Sequence, residues 1–445
     1  MSHVAKPLPH LNIFRFRGHQ MRTFHISWLT FFACFFGWFG LAPLMPAIRE
    51  DLGLSKGEVG NTIIAAVSAT IFARLLVGRL CDTWGPRKTY TALLIVGAFP
   101  VMLVGLADSY ETFLLFRLFI GVIGASFVIT QYHTSMMFAP AIKGTANAVA
   151  GGWGNLGGGI TNMVMPLIFA VIVSFGYSGA AAWRYAMIVP GLMLFLMAFV
   201  YYRYTADSPS GNANSFLPKK QKQPGTDWKI LRDWRLWSLS FAYAVCFGME
   251  ITFDGVAALH FTDSYGLSQQ SAGFWAGTFG FMNLFARALG GILADRVGMR
   301  FGLAGKGLLL AALLLMEGIG VILFALAGSL QMAIISMAGF ALFLKMANGA
   351  TYAITPFINQ KNTGLVSGIV GAGGNLGGML FGFLFKSESI TYGDAFQYIG
   401  YTVIAVSVIV FFTKFRPGTP TTLTPVLHNE KRFAEPALTD SSYNV

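Results

Sequence analysis

Twelve stretches of this sequence are long and apolar enough to cross a bilayer, at about 25–48, 59–80, 89–107, 112–138, 144–174, 184–202, 236–260, 270–294, 305–327, 331–353, 363–385 and 393–413. A span needs roughly 20 mainly apolar residues, and lipid satisfies no backbone polar group, so helices are the fold open to such a chain. Only 11% of the residues are charged, against roughly 25% in a soluble domain. The expectation is an all-α membrane protein of twelve transmembrane helices. The polar stretch 203–235, with Pro209, Pro218, Pro224, Lys219, Lys220 and Lys222, reads as a flexible linker between two six-helix halves, 25–202 and 236–413. A basic arm, 1–24, precedes them, and a Pro- and Thr-rich tail, 414–445, reads as disordered.

A net charge of +12 raises nucleic acid as a partner, but the positions of the charges exclude it. Most of the 31 Lys and Arg fall in the N-terminus, the even-numbered loops and the C-terminus, with Arg49, Lys56, Arg184 and Lys386 on the other side. By the positive-inside rule both termini are cytoplasmic and the partner of the basic segments is the lipid surface. The polar, basic start has no apolar core of a cleavable signal peptide. Cys34, Cys81 and Cys246 lie in or beside apolar spans without metal-ligand spacing, and no nucleophile-base-orienter set occurs. The reading is therefore not an enzyme, and it needs neither cofactor nor metal.

Within this frame one pattern occurs twice. Phe72-Ala73-Arg74 runs on into Gly78, Asp82, Gly85 and Arg87; Phe285-Ala286-Arg287 runs on into Gly291, Asp295, Gly298 and Arg300. Ionisable groups inside a bilayer are costly and face a cavity or a partner, so an arginine placed twice by duplication points to a working site. At a rise of 1.5 Å per residue Arg74 stands roughly 12 Å from Asp82 at the cytoplasmic end, near mid-bilayer. The Gly, Asp and Arg of the two strings are assigned to gating. A second doubled feature is Gly151-Gly152-Trp153-Gly154-Asn155-Leu156-Gly157-Gly158-Gly159 in the fifth span and Gly371-Ala372-Gly373-Gly374-Asn375-Leu376-Gly377-Gly378 in the eleventh. Close helix packing explains the glycines. It does not explain an asparagine at the same place in both copies, because a buried amide must find partners.

Other polar groups within spans leave two readings open. Arg117 pairs locally or takes part in coupling, and His133 carries a proton or is simply hydrogen-bonded. In the seventh span Tyr243, Phe247, Glu250 and Asp254 follow one another at about one helical turn and so share a face. The two acids are proton carriers or a structural ion pair.

These residues together resemble the nitrate/nitrite porter family of the major facilitator superfamily. The Gly-x-x-x-Asp-x-x-Gly-x-Arg strings are similar to the superfamily's signature loops, and the doubled glycine-asparagine stretches to the nitrate signatures of helices five and eleven. The likeness spans residues 22–415, and the wording around Phe24 to Arg49 and Ala150 to Thr161 is similar to the high-affinity nitrate transporters of plants, algae and fungi, without the long central loop of the fungal members. The resemblance implies the major facilitator fold of two pseudo-symmetric halves and a substrate anion between Arg74 and Arg287. It implies Asn155 and Tyr243 as donors, with Asn375 as the second copy of the amide, Gly151 and Gly371 giving close backbone approach, and Phe127 and Phe247 stacking on the planar ion.

The implied activity is secondary active import of nitrate and/or nitrite across the cell membrane. Exchange of nitrate for nitrite, or carriage of another small anion such as formate or a short carboxylate, stands as the alternative. The family's bacterial exchangers lack titratable groups near the site, whereas this chain has Glu250 and Asp254 there, Glu250 as the first candidate carrier and Asp254 as the second, with His133 as a further candidate; this favours proton-coupled symport. Resemblance to plant members adds a small accessory membrane protein as a partner, and a single chain is taken as the functional unit.

Overall fold

The computed structural model describes residues 7–139, 142–209, 211, 228–359 and 363–416. Most of the proposed linker and all but the first residues of the tail therefore lie outside the described residues. In the first half α1 (His19–Phe39) continues through a 3₁₀ turn, Ala42–Leu44, into α2 (Met45–Leu52). It is followed by α3 (Lys56–Trp84), α4 (Pro86–Leu103), α5 (Tyr110–Ile120), α6 (Ser126–Met137), α7 (Lys143–Ser174), α8 (Gly179–Ala186) and α9 (Ile188–Tyr204). The second half comprises α10 (Trp234–Tyr265), α11 (Gln269–Phe281), α12 (Ala286–Ala325), α13 (Leu330–Ile354), α14 (Thr363–Lys386) and α15 (Tyr392–Phe412).

Among the described residues eleven segments are long and apolar enough to span, and one of them, Gln269–Ala325, has 57 residues, more than twice what a crossing needs. It contains the eighth and ninth expected spans, divided at Gly302, where φ 66° and ψ −162° interrupt the helix. The two signature strings thus turn differently. The first turns at its own glycine, Gly85 (φ 83°), with Pro86 opening α4; only glycine adopts this backbone cheaply, and proline favours the first helical position. The second stays helical through Gly298 and turns at Gly302.

Helices entering from the face opposite the termini begin with side-chain caps. Ser55, Ser109 and Thr391 form reciprocal capping boxes with Glu58, Thr112 and Asp394, and Ser178, Ser268 and Ser329 accept from backbone amides of the helices they open. Each cap satisfies an otherwise orphaned N–H where the helix leaves water. On the same face the halves are latched: Arg49 donates to both oxygens of Asp263 at 2.8 Å, Gly57 N–H donates to Glu388, and Lys56 donates to the Ile390 carbonyl, while Tyr392 supports Asp263 from within the second half.

Glycine decides how closely the halves approach. A Cβ on Gly159 would lie 2.5 Å from Gly280 Cα, and one on Gly273 would lie 2.2 Å from the Asn162 carbonyl oxygen, so α7 and α11 meet backbone to backbone. Within each half the doubled motif plays the same part: Gly157 packs on Phe32 O of α1 and Gly377 on Ala244 O of α10.

The N-terminal arm forms more than a headgroup tether. Leu8 pairs with the end of α6, donating to the Met137 carbonyl while Ala139 N–H donates back to Leu8. Leu8 and Leu11 pack on a small core of Met21, Phe24, Met137, Phe138, Ala146 and Ala150.

Candidate functional site

Arg74 of α3 and Arg287 of α12 reach the interface between the halves, and aromatic rings shape the space around each. The Arg74 guanidinium lies over Phe127 at 5.4 Å and donates to the Gly371 carbonyl at 3.4 Å, leaving Nε and Nη2 buried without a partner. Arg287 is 4% exposed, lies over Phe247 at 5.9 Å and donates to the Tyr243 hydroxyl at 2.8 Å, with Nη1 left unpartnered. An Arg presents five donors in a planar fork. Both copies therefore hold donors in reserve, and among the described residues neither guanidinium hydrogen-bonds a carboxylate.

Tyr243 stacks on Phe247 (5.0 Å, 3° between planes) and meets Tyr352 of α13 edge-on at 5.0 Å. Tyr352 is within electrostatic reach of both arginines. Its hydroxyl would lie 3.2 Å from a Cβ on Gly371, and Gln131 Nε2 and Phe127 would lie 3.4 and 3.6 Å from one on Gly151. Those two glycines therefore border the arginine space, whereas Gly154 and Gly374 are pressed onto Phe31 and onto the Tyr243–Phe247 stack. Sequence reasoning passed over Tyr352, Gln131 and Asn283. The signal for Tyr352 was its place one helical turn beyond Asn348, on the face that also carries Lys345.

The asparagines separate. Asn155 donates to Glu250 Oε1 at 3.4 Å across the interface, with its Oδ1 unpartnered, while both polar atoms of buried Asn375 lack a partner. Glu250 sits in a ring of donors: Asn283 at 2.9 Å, Asn348 at 2.7 Å, Asn155, and Lys345, whose Nζ is 2.7 Å from Oε1. The lysine contact is a buried ion pair, and the ammonium also lies over the Phe279 ring at 4.1 Å. Asp254 is 2% exposed with Oδ1 unpartnered, and only its backbone carbonyl is engaged, by Asn162.

His133 is elsewhere, at the termini end of α6. One ring nitrogen is 2.5 Å from the Tyr201 hydroxyl and the other 2.7 Å from the Ala206 carbonyl, so both positions are occupied. Arg117 is buried in the first half and donates to Trp38 O at 3.5 Å. Of the gating set, Arg87 donates from its backbone to Asp207 and from its guanidinium to Tyr202 O, and Asp295 pairs with Lys306 at 2.6 Å. Gly78 and Gly291 have open space or a contact at 4.0 Å, and Arg300 lies over Phe301. The Asp82 side chain lies outside the described residues.

Two helical halves meeting at paired arginines define a membrane transporter architecture, and comparison with known proteins agrees. Residues 27–316 match the model of the Major Facilitator Superfamily. The fold is similar to that of the inward-facing, occupied form of a bacterial homologue of the human lysosomal transporter Spinster (TM-score 0.67, 16% identity, 88% of this chain and 95% of that one). It is also similar to the inward-open xylose transporter XylE of E. coli (TM-score 0.64, 14% identity, 91% and 98%). By sequence the chain is 38% identical to high affinity nitrate transporter 2.5 of Arabidopsis thaliana over 89% of its length and 80% of the relative's. It is 37% identical to nitrate transporter 2.2 of Chlamydomonas reinhardtii, over 92% and 82%. The nitrate/nitrite transporter NrtP of Picosynechococcus is 27% identical over 81% and 84%. The chain belongs to the Major Facilitator Superfamily and, within it, to the nitrate/nitrite porter family.

Proposed function

We propose that the protein imports nitrate, nitrite or both across the cell membrane, with its termini in the cytoplasm and its halves rocking about the arginine layer. The observation that carries this reading is the pair of guanidinium edges, one from each half, held over Phe127 and Phe247 with donors unspent. Nitrate is planar, carries one negative charge and offers only acceptors, so a site of donors and ring faces suits it. The similarity to nitrate transporters of Arabidopsis thaliana and Chlamydomonas reinhardtii supports the same substrate. One chain supplies both arginines, which favours a monomeric functional unit, and the backbone-close packing of α7 on α11 gives the halves surfaces to rock on.

Inward movement of an anion against an interior-negative potential costs roughly 2.3 kcal/mol per 100 mV. Two co-transported protons per anion make the step favourable, and carboxyls near Arg287 are the groups to carry them. Glu250 is saturated with donors and serves as a fixed counter-charge, whereas Asp254 has an oxygen to spare and is the better carrier. The test is flux in proteoliposomes. Nitrate or nitrite uptake should rise when the outside is made acidic and should need no anion inside. Flux of formate without nitrate or nitrite flux would sink the substrate reading, and an absolute need for internal nitrite would replace symport with exchange.

A further inference from the structure

One buried carboxyl has no role in the arginine site. Glu317 of α12 is fully buried, and neither of its carboxylate oxygens has a hydrogen-bond partner. The titratable and charged groups within electrostatic reach of it are Cys246 and Glu250 of α10 and Lys345 of α13; α15, the other helix packed here, presents Gly400 and Ile404 to the neighbouring Gly318. Lys345 is also fully buried. The interior of the second half thus holds a buried lysine paired with one glutamate and within electrostatic reach of a second.

The two glutamates are served very unequally. Glu250 takes three amide donors besides the lysine, from Asn155, Asn283 and Asn348, and Arg287 acts on it electrostatically. Glu317 takes none. A bare carboxylate without donors in a dry interior is unfavourable, so Glu317 is an acid that keeps its proton until a cation is free to replace it. Lys345 is the available cation, because Glu250 keeps its three amide donors and the field of Arg287 when the lysine turns away.

We propose that Glu317 is a second proton carrier of this transporter and that Lys345 is the counter-ion that takes its charge when the proton leaves. The proposal rests on the proton-coupled reading above and supplies the second of its two protons. While an anion occupies the arginine layer, it draws on the charge of Arg287, Lys345 stays on Glu250, and Glu317 stays protonated. When the anion leaves toward the cytoplasm, Arg287 again balances Glu250 and Lys345 turns to Glu317. The Glu317 O–H bond then breaks, its electron pair stays on the carboxylate, and the proton passes to cytoplasmic water. Reloading at the outer face reverses each step, so anion and proton leave on the same side. Glu317 acts through Lys345 and does not touch the substrate.

The experiment compares wild type with Glu317→Gln in proteoliposomes, reading nitrate uptake against external pH and the charge moved per nitrate. Glu317→Gln is expected to bind nitrate within about threefold of wild type, to lose most of the acid stimulation of uptake and to carry one charge fewer per nitrate. Unchanged pH dependence and charge per nitrate overturn the proposal. If wild type itself shows no proton coupling, it is the symport reading that fails, and the two failures are told apart by the wild-type trace. Should Glu317→Gln fail to reach the membrane, Glu317→Asp and wild type are compared by infrared difference spectroscopy on adding nitrate. A carboxylic-acid band that changes with nitrate and shifts in Glu317→Asp supports the assignment. An identical band in both proteins, or none, overturns it.

Discussion

Arg74 and Arg287 come from the same duplicated string, yet the two halves have surrounded them differently. Arg74 has one long bond to a backbone carbonyl and a ring beneath it. Arg287 has a short bond to Tyr243 and stands beside Glu250, which leads on to Lys345 and Glu317. Among the described residues no buried carboxylate lies within the membrane core of the first half. The difference teaches that duplication supplied two buried arginines with donors unspent, and that only the second half surrounds its copy with buried charges. On the proposed function the first half would act as a fixed wall and the second would carry the coupling groups.

The comparison breaks most readily at the arginines themselves. Arg74→Ala and Arg287→Ala should each weaken nitrate binding at least about 100-fold, since hydrogen bonds to charged groups contribute roughly 1.5–3 kcal/mol each and a fork makes two. Their stabilities should diverge: Arg287→Ala orphans Tyr243 and removes a cation beside Glu250, so its unfolding temperature in detergent should fall, while Arg74→Ala should unfold near wild type. Equal losses of stability would erase the asymmetry. Arg→Lys at either position should restore charge but little affinity, because the planar fork is lost.

A smaller effect probes the second half alone. Lys345→Met removes the paired cation of Glu250 but leaves it three amide donors and the field of Arg287, so it should destabilise the protein by less than the about 3–5 kcal/mol typical of breaking a buried pair. Adding Glu250→Gln should recover a good part of that loss, and a double variant no more stable than Lys345→Met would show that the two do not function as a pair. Gly374→Ala comes next. Its Cβ would lie 2.7 Å from both Tyr243 and Phe247, so overpacking should cost roughly 1–3 kcal/mol and tilt the stack beneath Arg287. Gly151→Ala has 3.4 Å of room; it should leave unfolding unchanged and affect nitrate affinity only. Thermal unfolding and nitrate titration of the pair would show whether the doubled motif divides its labour this way.

The smallest effect is at the latch between the halves. Arg49 and Asp263 are partly solvated, with side chains 37% and 23% exposed, and such pairs contribute roughly 1 kcal/mol or less. Asp263→Asn should therefore raise access of a thiol reagent to a cysteine placed near Arg74 from the outer face by only a few-fold, an effect that should shrink with Arg49→Ala already present.

What could be read from the sequence was what depends on period, composition and repetition. The apolar stretches dictate helices because lipid offers the backbone nothing else, and the doubled strings marked Arg74 and Arg287 because a charge in hydrocarbon must be used. The glycine-asparagine copies marked α7 and α14, and the one-turn spacing put Tyr243, Phe247 and Glu250 on one face. The sequence could not tell that Glu250 is saturated, that Glu317 is bare, or that Lys345 pairs with the first and lies within electrostatic reach of the second. Those residues lie on three helices far apart in the chain, and whether a carboxylate finds donors depends on which side chains the fold brings within about 3 Å of it.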